Sequence, residues 1–250
     1  MTLASPTPLQ AGLPARREAR WVQFVRRHPF SVLGLACLLV LLLSLFIGRY
    51  PAPGWMSPAT LLDDPMARQL LLNLRLPRVL TAMLLGMTLS ASGAVMQMIF
   101  RNPLVEPGFL GVSQGAAFGA ALSIVFLGAS LVLTELFAAF FACLGLALSY
   151  LLARRIRYGG WILRLVLSGI AVSALFSSGV GVLKYLADPL TQLPDIVFWM
   201  LGALWGVTWR DFLYILPPVV VGLTIVTLMR WRLNLLSLDD DTGFSLGAAP

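Results

Sequence analysis

Few side chains in this 250-residue chain could do acid–base or covalent chemistry, and their spacing argues against it. His28 is the single histidine and follows Arg26 and Arg27, where a solvated loop residue is expected. Cys37 and Cys143 each lie inside an apolar run, a position that favours small buried hydrophobes over a disulfide or metal site. The motifs HExxH and the phosphate-cradling GxxxxGKS/T do not occur, and no His/Asp set suits proteolysis within a membrane. Glu135 sits near the start of one apolar run and Glu106 in a turn. No series of acids or histidines passes through the runs to carry protons or ions. No catalytic residue, metal site or cofactor is therefore expected in this chain, and any nucleotide energy must come from another one. The remaining chemistry is recognition and packing: paired cations at Arg75 and Arg78, a charged helix-breaking turn at Arg101-Asn102-Pro103, small residues at regular spacing, and the acids Asp239, Asp240 and Asp241.

The elements that position these groups follow from composition. Hydrophobic residues make up 58% of the chain and charged residues 12%, with a mean hydropathy of +0.86. A soluble domain carries about 25% charged residues, so this chain cannot present an ordinary surface to water. Its apolar residues gather into runs of about 18 or more without alternation, which predicts an all-α, polytopic transmembrane helical bundle rather than a barrel. The net charge of +7 does not indicate nucleic acid, because the arginines stand at the ends of apolar runs and form no basic, aromatic-interleaved strand.

Residues 1–29 are expected to form a disordered basic cytoplasmic tail, 30–232 a transmembrane domain, and 233–250 an amphipathic cytoplasmic segment. The first run is long enough to span and no small-x-small cleavage site follows it, which disfavours a signal peptide. Six spans are predicted at 30–48, 79–100, 109–127, 131–153, 162–186 and 212–229. Residues 49–73, with four prolines and Asp63-Asp64, are expected to be a loop. Residues 190–210 contain three tryptophans and two glycines, too broken for a comfortable span. A short helix lying partly in the membrane is expected there, with Pro194 before its first turn. With the N-terminus inside, twelve of the 18 basic residues fall inside and six outside, which supports that orientation. It also leaves Arg75 and Arg78 outside, against the trend.

Small residues recur every fourth position at Gly86, Ser90 and Ala94, at Gly111, Gly115 and Gly119, and at Gly169, Ser173, Ser177 and Gly181. Such spacing places each set on one helix face where backbones can approach. Close packing within the chain is the expectation for the first two sets. The third is also rich in hydroxyls, and suits a wall packed on a partner or lining a wet path. Arg164 and Lys184, near the ends of their run, are expected to reach the interface with their charged heads. Asp239, Asp240 and Asp241 suit the first turn of a short surface helix, and the same segment could dock on a cytoplasmic partner.

The order of motifs from Arg75 to Gly247 resembles the permease subunits of ABC importers for iron-siderophores, haem and vitamin B12, the FecCD/BtuC-like family. The resemblance rests on RLPR at 75–78, SGAVMQ at 92–97, RNPLVEPG at 101–108 and LGVSQGAAFGA at 110–120. LVLSGIAVSALFSS at 165–178, FWMLGALWGVTW at 198–209, and LNLLSL at 233–238 with the acids that follow extend it. It implies a multi-pass protein of the cell (inner) membrane, surrounded by lipid, with its N-terminus in the cytoplasm and no nucleic-acid partner. It further implies a second, identical or homologous permease subunit, two ABC ATPase subunits below, and a periplasmic or extracellular substrate-binding protein above. Arg75 and Arg78 match arginines that dock on acids of the binding protein. Gly169, Ser173, Ser177, Gly181, Trp199 and Gly202 belong to elements that line the path and shape its gate. Arg101, Asn102, Pro103, Pro107 and Gly108 form the signature turn. Leu238, Asp239, Asp240, Leu246 and Gly247 match the start of the region coupled to the ATPase.

Two features depart from the family pattern. The coupling segment usually has a glycine, an acid and later an alanine, whereas this chain has Asp239, Asp240 and Gly243. Family members also carry about ten spans against six here, so an incomplete permease is the expectation, marginal or misassembled if expressed alone. The implied function is import of a ferric siderophore or related metal chelate driven by ATP on a separate chain. Haem and vitamin B12 are the alternative cargoes. A channel or secondary transporter needing no ATPase, or a membrane fragment without transport activity, are the alternatives of another class.

Overall fold

The computed structural model describes residues 27–50, 52–128 and 130–236. Residues 1–26 of the tail expected at 1–29 and the coupling residues Leu238, Asp239, Asp240, Leu246 and Gly247 lie outside them. The chain divides into two compact units, split between Leu71 and Leu72.

The first unit holds α1 (Pro29–Phe46), two two-residue strands β1 (Ile47–Gly48) and β2 (Gly54–Trp55), α2 (Thr60–Asp63) and α3 (Pro65–Leu70). Pro29 occupies the first turn of α1, where a missing N–H costs nothing. The helix ends as the backbone turns extended at Ile47, and the antiparallel ribbon pairs Ile47 with Trp55 and Gly48 with Gly54. Residues 49–73, expected as a loop, are thus partly helical. Pro65 starts α3 rather than breaking it, because Asp64 caps it by accepting from the amides of Met66 (2.9 Å) and Ala67 (3.4 Å). The Tyr50 phenol donates to the same carboxylate at 2.6 Å. That bond is the main reason the Asp64 carboxyl lies below the usual range and the Tyr50 phenol above it.

The second unit continues from the π-helical turn that spans Leu71–Arg75 into α4 (Leu76–Phe100), α5 (Val112–Phe126), α6 (Leu131–Arg155), α7 (Trp161–Leu186), α8 (Gln192–Leu201), α9 (Trp209–Leu228) and α10 (Arg230–Leu236). Its core is the packing of α5 with α6 and α7. A Cβ on Gly115 or Gly119 would collide with the carbonyl oxygens of Phe141 and Phe137, and one on Gly145 would lie 2.5 Å from that of Gly111. The α5 and α6 backbones therefore touch, the arrangement that small residues permit in the absence of a hydrophobic drive between helices. Phe118 fills the space toward α7, with ring centroids 5.2 Å from Phe141 and 5.4 Å from Phe176. Only glycine fits at 179, where a Cβ would come within 2.6 Å of the Phe118 ring.

Two apolar clusters close the ends of this core. Phe100, Val105, Leu110, Ala153 and Leu165 form one, and Ala121, Ile124, Leu183, Ala187 and Ile196 the other. α4 packs mainly on α9 and α10, where Leu233 is buried.

The bundle is all-α as expected, but the count of spans differs. Five helices among the described residues are long and apolar enough to cross a membrane: Pro29–Phe46, Pro65–Phe100, Leu131–Arg155, Trp161–Leu186 and Trp209–Leu228. The sixth, α5, has 15 residues, roughly 22 Å, against a hydrocarbon core of about 30 Å. It starts late because Gly111, at φ +81°, caps it in the left-handed region. Seven of its residues are buried, so its neighbours shield it from lipid.

Cys37 and Cys143 are free and lie on exposed helix faces, not in the protein interior as expected. His28 is exposed at the N-cap of α1.

Replacing Gly119 by leucine forces α5 away from α6 and is expected to cost at least about 1–3 kcal/mol, read as a lower denaturation midpoint in detergent. Gly86, with nothing within 4 Å of its Cβ position, is the control. Gly86→Ala is expected to leave the midpoint unchanged or raise stability by up to about 1 kcal/mol.

Candidate functional site

Three places collect the residues singled out by the sequence. The first is the start of α4. Pro77 occupies its first turn and is fully buried, which seats Arg75 and Arg78 on the flanking backbone. Both arginines are half-buried. Arg78 Nη2 donates to the Trp205 carbonyl, while its Nε is enclosed without a partner. Trp209 Nε1 donates to the Leu72 carbonyl at 2.8 Å. The cations are thus not simply displayed. Arg78 holds the backbone of the Trp-rich connection between α8 and α9.

That connection is built locally. Gly202 ends α8 at φ +69°, a conformation glycine adopts without strain. Thr208 and Asp211 then start α9 with reciprocal side-chain-to-backbone bonds, Thr208 N to Asp211 Oδ2 at 2.9 Å and Asp211 N to Thr208 Oγ1 at 3.5 Å. α8 itself is the short helix expected within 190–210, but Pro194 is its third residue rather than preceding it. The first turn tolerates this because its amides have no partner within the helix. At its start Asp188 Oδ1 accepts from the amides of Leu190 (2.7 Å) and Thr191 (3.0 Å). Those bonds hold the Asp188 carboxyl below the ordinary range. Gln192 Nε2 then donates to the Val125 carbonyl at 3.1 Å, tying α8 to the end of α5.

The second place is α7. Gly169 is buried, its Cβ position 3.0 Å from the Phe109 carbonyl. Ser173 is half-buried, and Ser177 and Gly181 are exposed. A four-residue step advances about 400° around a helix of 3.6 residues per turn, so the series drifts about 40° per step. Over three steps it leaves the packed face for the open one. Trp199 of α8 packs against the Ala121–Ile196 cluster, whereas Gly202 is exposed.

The third place is the signature turn. Arg101 ends α4 in the left-handed region at φ 49°, the one non-glycine residue with positive φ among those described. Its amide bonds the Met98 carbonyl at 3.3 Å and that of Asn102 bonds the Gln97 carbonyl at 3.2 Å. This is a Schellman stop in which arginine takes the position usual for glycine, at a cost of about 1–2 kcal/mol. Asn102 Oδ1 accepts from the Leu104 amide at 2.9 Å, and Gln97 Nε2 donates to the Pro103 carbonyl at 3.1 Å. Pro107 packs beside Gly93, and a Cβ on Gly108 would strike Ser113 Oγ. Gln97, Pro103 and Pro107, with Ser90, Ala94 and Glu106, line a cavity of about 430 Å3. Gly86, Ser90 and Ala94 are exposed; among the described residues nothing packs on this small-residue face of α4.

Sequence reasoning missed the Arg78–Trp205 and Trp209–Leu72 bonds, which join residues 127 and 137 positions apart. The only local signal was the density of tryptophan in 199–209.

Comparison with known proteins places these features in a family. The model of the FecCD transport family matches residues 36–250. A molybdate import system permease protein of Haemophilus influenzae is 40% identical over 229 residues, covering 88% of this chain and 67% of its own length. A probable iron chelatin transport system permease protein of Helicobacter pylori is 41% identical over 181 residues, covering 72% and 54%. A solved inward-facing conformation of a metal-chelate type ABC transporter superposes with a TM-score of 0.78 at 38% identity, covering 89% of this chain and 68% of that one. The chain spans about half to two-thirds of the length of the relatives it matches.

A group whose folded pKa is depressed stabilises above its unfolded pKa, and that contribution is lost as pH falls through the folded value. For Asp188 the window therefore lies below about pH 4. Amide protection at the start of α8, corrected for intrinsic exchange, is expected to fall on acidification through that window. Asp188→Ala removes the protection at every pH. Asp188→Asn keeps an acceptor and removes the pH dependence.

Proposed function

The chain belongs to the FecCD transport family, and from that premise we propose that it is a membrane-spanning permease subunit of an ATP-driven importer for a metal chelate. The family match over residues 36–250, which takes in the bundle core and the whole signature turn, is the observation that carries this reading. The partners are ABC ATPase subunits, a substrate-binding protein and a second permease subunit. ATP hydrolysis belongs to the ATPase chains, and no catalytic residue or cofactor is assigned here.

The basic residues, twelve against six, support a cytoplasmic N-terminus. In that orientation the start of α4 and the connection from α8 to α9 face the binding protein, and the signature turn faces the ATPase. Arg75 and Arg78 attract acids of the binding protein. The Arg78–Trp205 bond supports a coupling there, because docking that draws on the Arg78 guanidinium also alters what holds the Trp-rich connection. Ser173, Ser177 and Gly181 on the open side of α7, with Trp199 and Gly202, border the path. Leu238, Asp239, Asp240, Leu246 and Gly247 supply the ATPase contact. ATP-driven closure shifts the subunit between its two states only through contacts that differ between them.

A ferric siderophore or related chelate is the assigned cargo, with haem and vitamin B12 in the same chelate class. A second reading, molybdate, is favoured by the 40% identity to a permease so described.

Uptake by vesicles containing the chain, an ABC ATPase and a substrate-binding protein tests the assignment. Accumulation of labelled iron chelate that stops when the ATPase is inactivated is expected. Labelled molybdate taken up in its place selects the second reading, and accumulation indifferent to the ATPase overturns both. Arg75→Glu and Arg78→Glu are expected to weaken binding-protein affinity by at least about tenfold, measured on immobilised vesicles. Unchanged affinity removes the docking assignment while leaving the family membership intact.

A further inference from the structure

The turn between α6 and α7 carries four arginines, Arg154, Arg155, Arg157 and Arg164, within eleven residues, and no acid occurs anywhere from residue 136 to 187. Among the described residues none of the four is in an ion pair. Two of them are fixed by aromatic rings. The Arg154 guanidinium lies 5.8 Å from the Tyr150 ring centroid and that of Arg164 lies 5.7 Å from Trp161. The two rings meet edge to face at 5.7 Å. Arg164 Nη1 also donates to the Ile156 carbonyl at 3.0 Å, which closes the end of α6. The result is a cation–ring–ring–cation ladder across the two helices, with Arg155 and Arg157 exposed beside it.

The surroundings identify what this ladder meets. Tyr150 and Trp161 are exposed, and so are Leu151 and Leu163 on the same helix ends. Exposed apolar side chains next to a tyrosine–tryptophan pair and unpaired arginines mark the boundary between acyl chains and headgroups. Guanidinium groups pair with phosphate oxygens through two parallel N–H donors. A ring-stacked arginine is already oriented for that pairing, so little side-chain freedom is lost when it forms. We propose that the α6–α7 turn is a binding site for the headgroup phosphate of an anionic phospholipid. Arg154 and Arg157 are its principal ligands, with Trp161 and Tyr150 as the platform. The inference needs only that the helices span a membrane and is independent of the transported cargo.

The test uses the full chain in nanodiscs of phosphatidylcholine with and without phosphatidylglycerol, the retained lipid being read by native mass spectrometry after extraction. Phosphatidylglycerol is expected to be retained in preference to phosphatidylcholine. The double variant Arg154→Gln/Arg157→Gln is expected to lose about fivefold in retention for each arginine removed. Arg164 is left intact because it also closes α6. Trp161→Leu provides an independent variant expected to weaken retention without removing charge. Equal retention of the two lipids, or unchanged retention in both variants, overturns the proposal. So does an equal loss in Arg230→Gln/Arg232→Gln, which removes the same charge elsewhere, or complete displacement of the lipid by inorganic phosphate. Loss of binding to an ABC ATPase in the double variant with lipid retention unchanged makes the turn a protein interface and overturns it as well.

Discussion

The contact between the α5 and α6 backbones is the constraint on which the rest of the bundle depends. Where Gly115 and Gly119 meet the carbonyls of Phe141 and Phe137 there is no room for a methyl group. That closeness makes α5 an enclosed helix, which is why 15 residues suffice for an element lying among longer neighbours. It also brings Ser149 Oγ within 2.8 Å of the Leu110 carbonyl, so the last residues before α5 are held by α6. The signature turn, which ends in those residues, is thereby fixed to the core at one side and to α4 at the other. A wider α5–α6 spacing would leave the Leu110 carbonyl without its donor and open the cluster of Phe100, Val105 and Leu165.

Residue spacing was informative where one helix had to touch another and misleading where it ran on too long. Gly111, Gly115 and Gly119 cover two turns, and all three are buried. The longer series from Gly169 to Gly181 reads as one face in the sequence, yet the drift of about 40° per step carries Gly181 to the open side. Gly86, Ser90 and Ala94 obey the same spacing and are exposed, because spacing shows which residues share a face and not whether a neighbour occupies it. Pro65 and Pro194 illustrate a different limit. Pro65 was expected in a loop and Pro194 just ahead of a helix, but the first turn of a helix has no use for those amides, so both lie inside helices. The free exposed cysteines follow from a similar ambiguity: in a membrane bundle an apolar residue is as much at home facing outward as inward.

Charge explains what hydropathy could not. The arginines at 75 and 78 were expected to run against the basic-inside trend, and the structure gives Arg78 a structural use: its guanidinium holds the Trp205 carbonyl 127 positions away. No local pattern predicts such a bond, since it needs both the approach of α9 to α4 and the left-handed Gly202 that turns the chain after α8. At Arg101 the reverse holds. The positive φ of an arginine is a cost visible only in the coordinates, whereas the Asn-Pro that follows was a legible stop. Two Schellman bonds and the Asn102 side chain offset that cost and set the direction in which the chain leaves α4.

The way the helices group bears on how such a subunit could move. α5, α6, α7 and α8 pack around the glycine contact, while α4 packs mainly with α9 and α10. At the end carrying the signature turn, side chains of α4 join the first group through Phe100 in the buried cluster. At the opposite end the Trp-rich connection, which passes from one group to the other, is held by the Arg78–Trp205 hydrogen bond and, at its end, by that from Trp209 to the Leu72 carbonyl. A buried cluster resists separation through its whole apolar area, whereas each hydrogen bond contributes about 1 kcal/mol, or somewhat more when one partner is charged. The two joints are therefore unequal, and rearrangement is cheaper at the Trp205 end. A firm joint at the signature turn and a lighter one at Trp205 thus join the two helical groups unequally at their two ends.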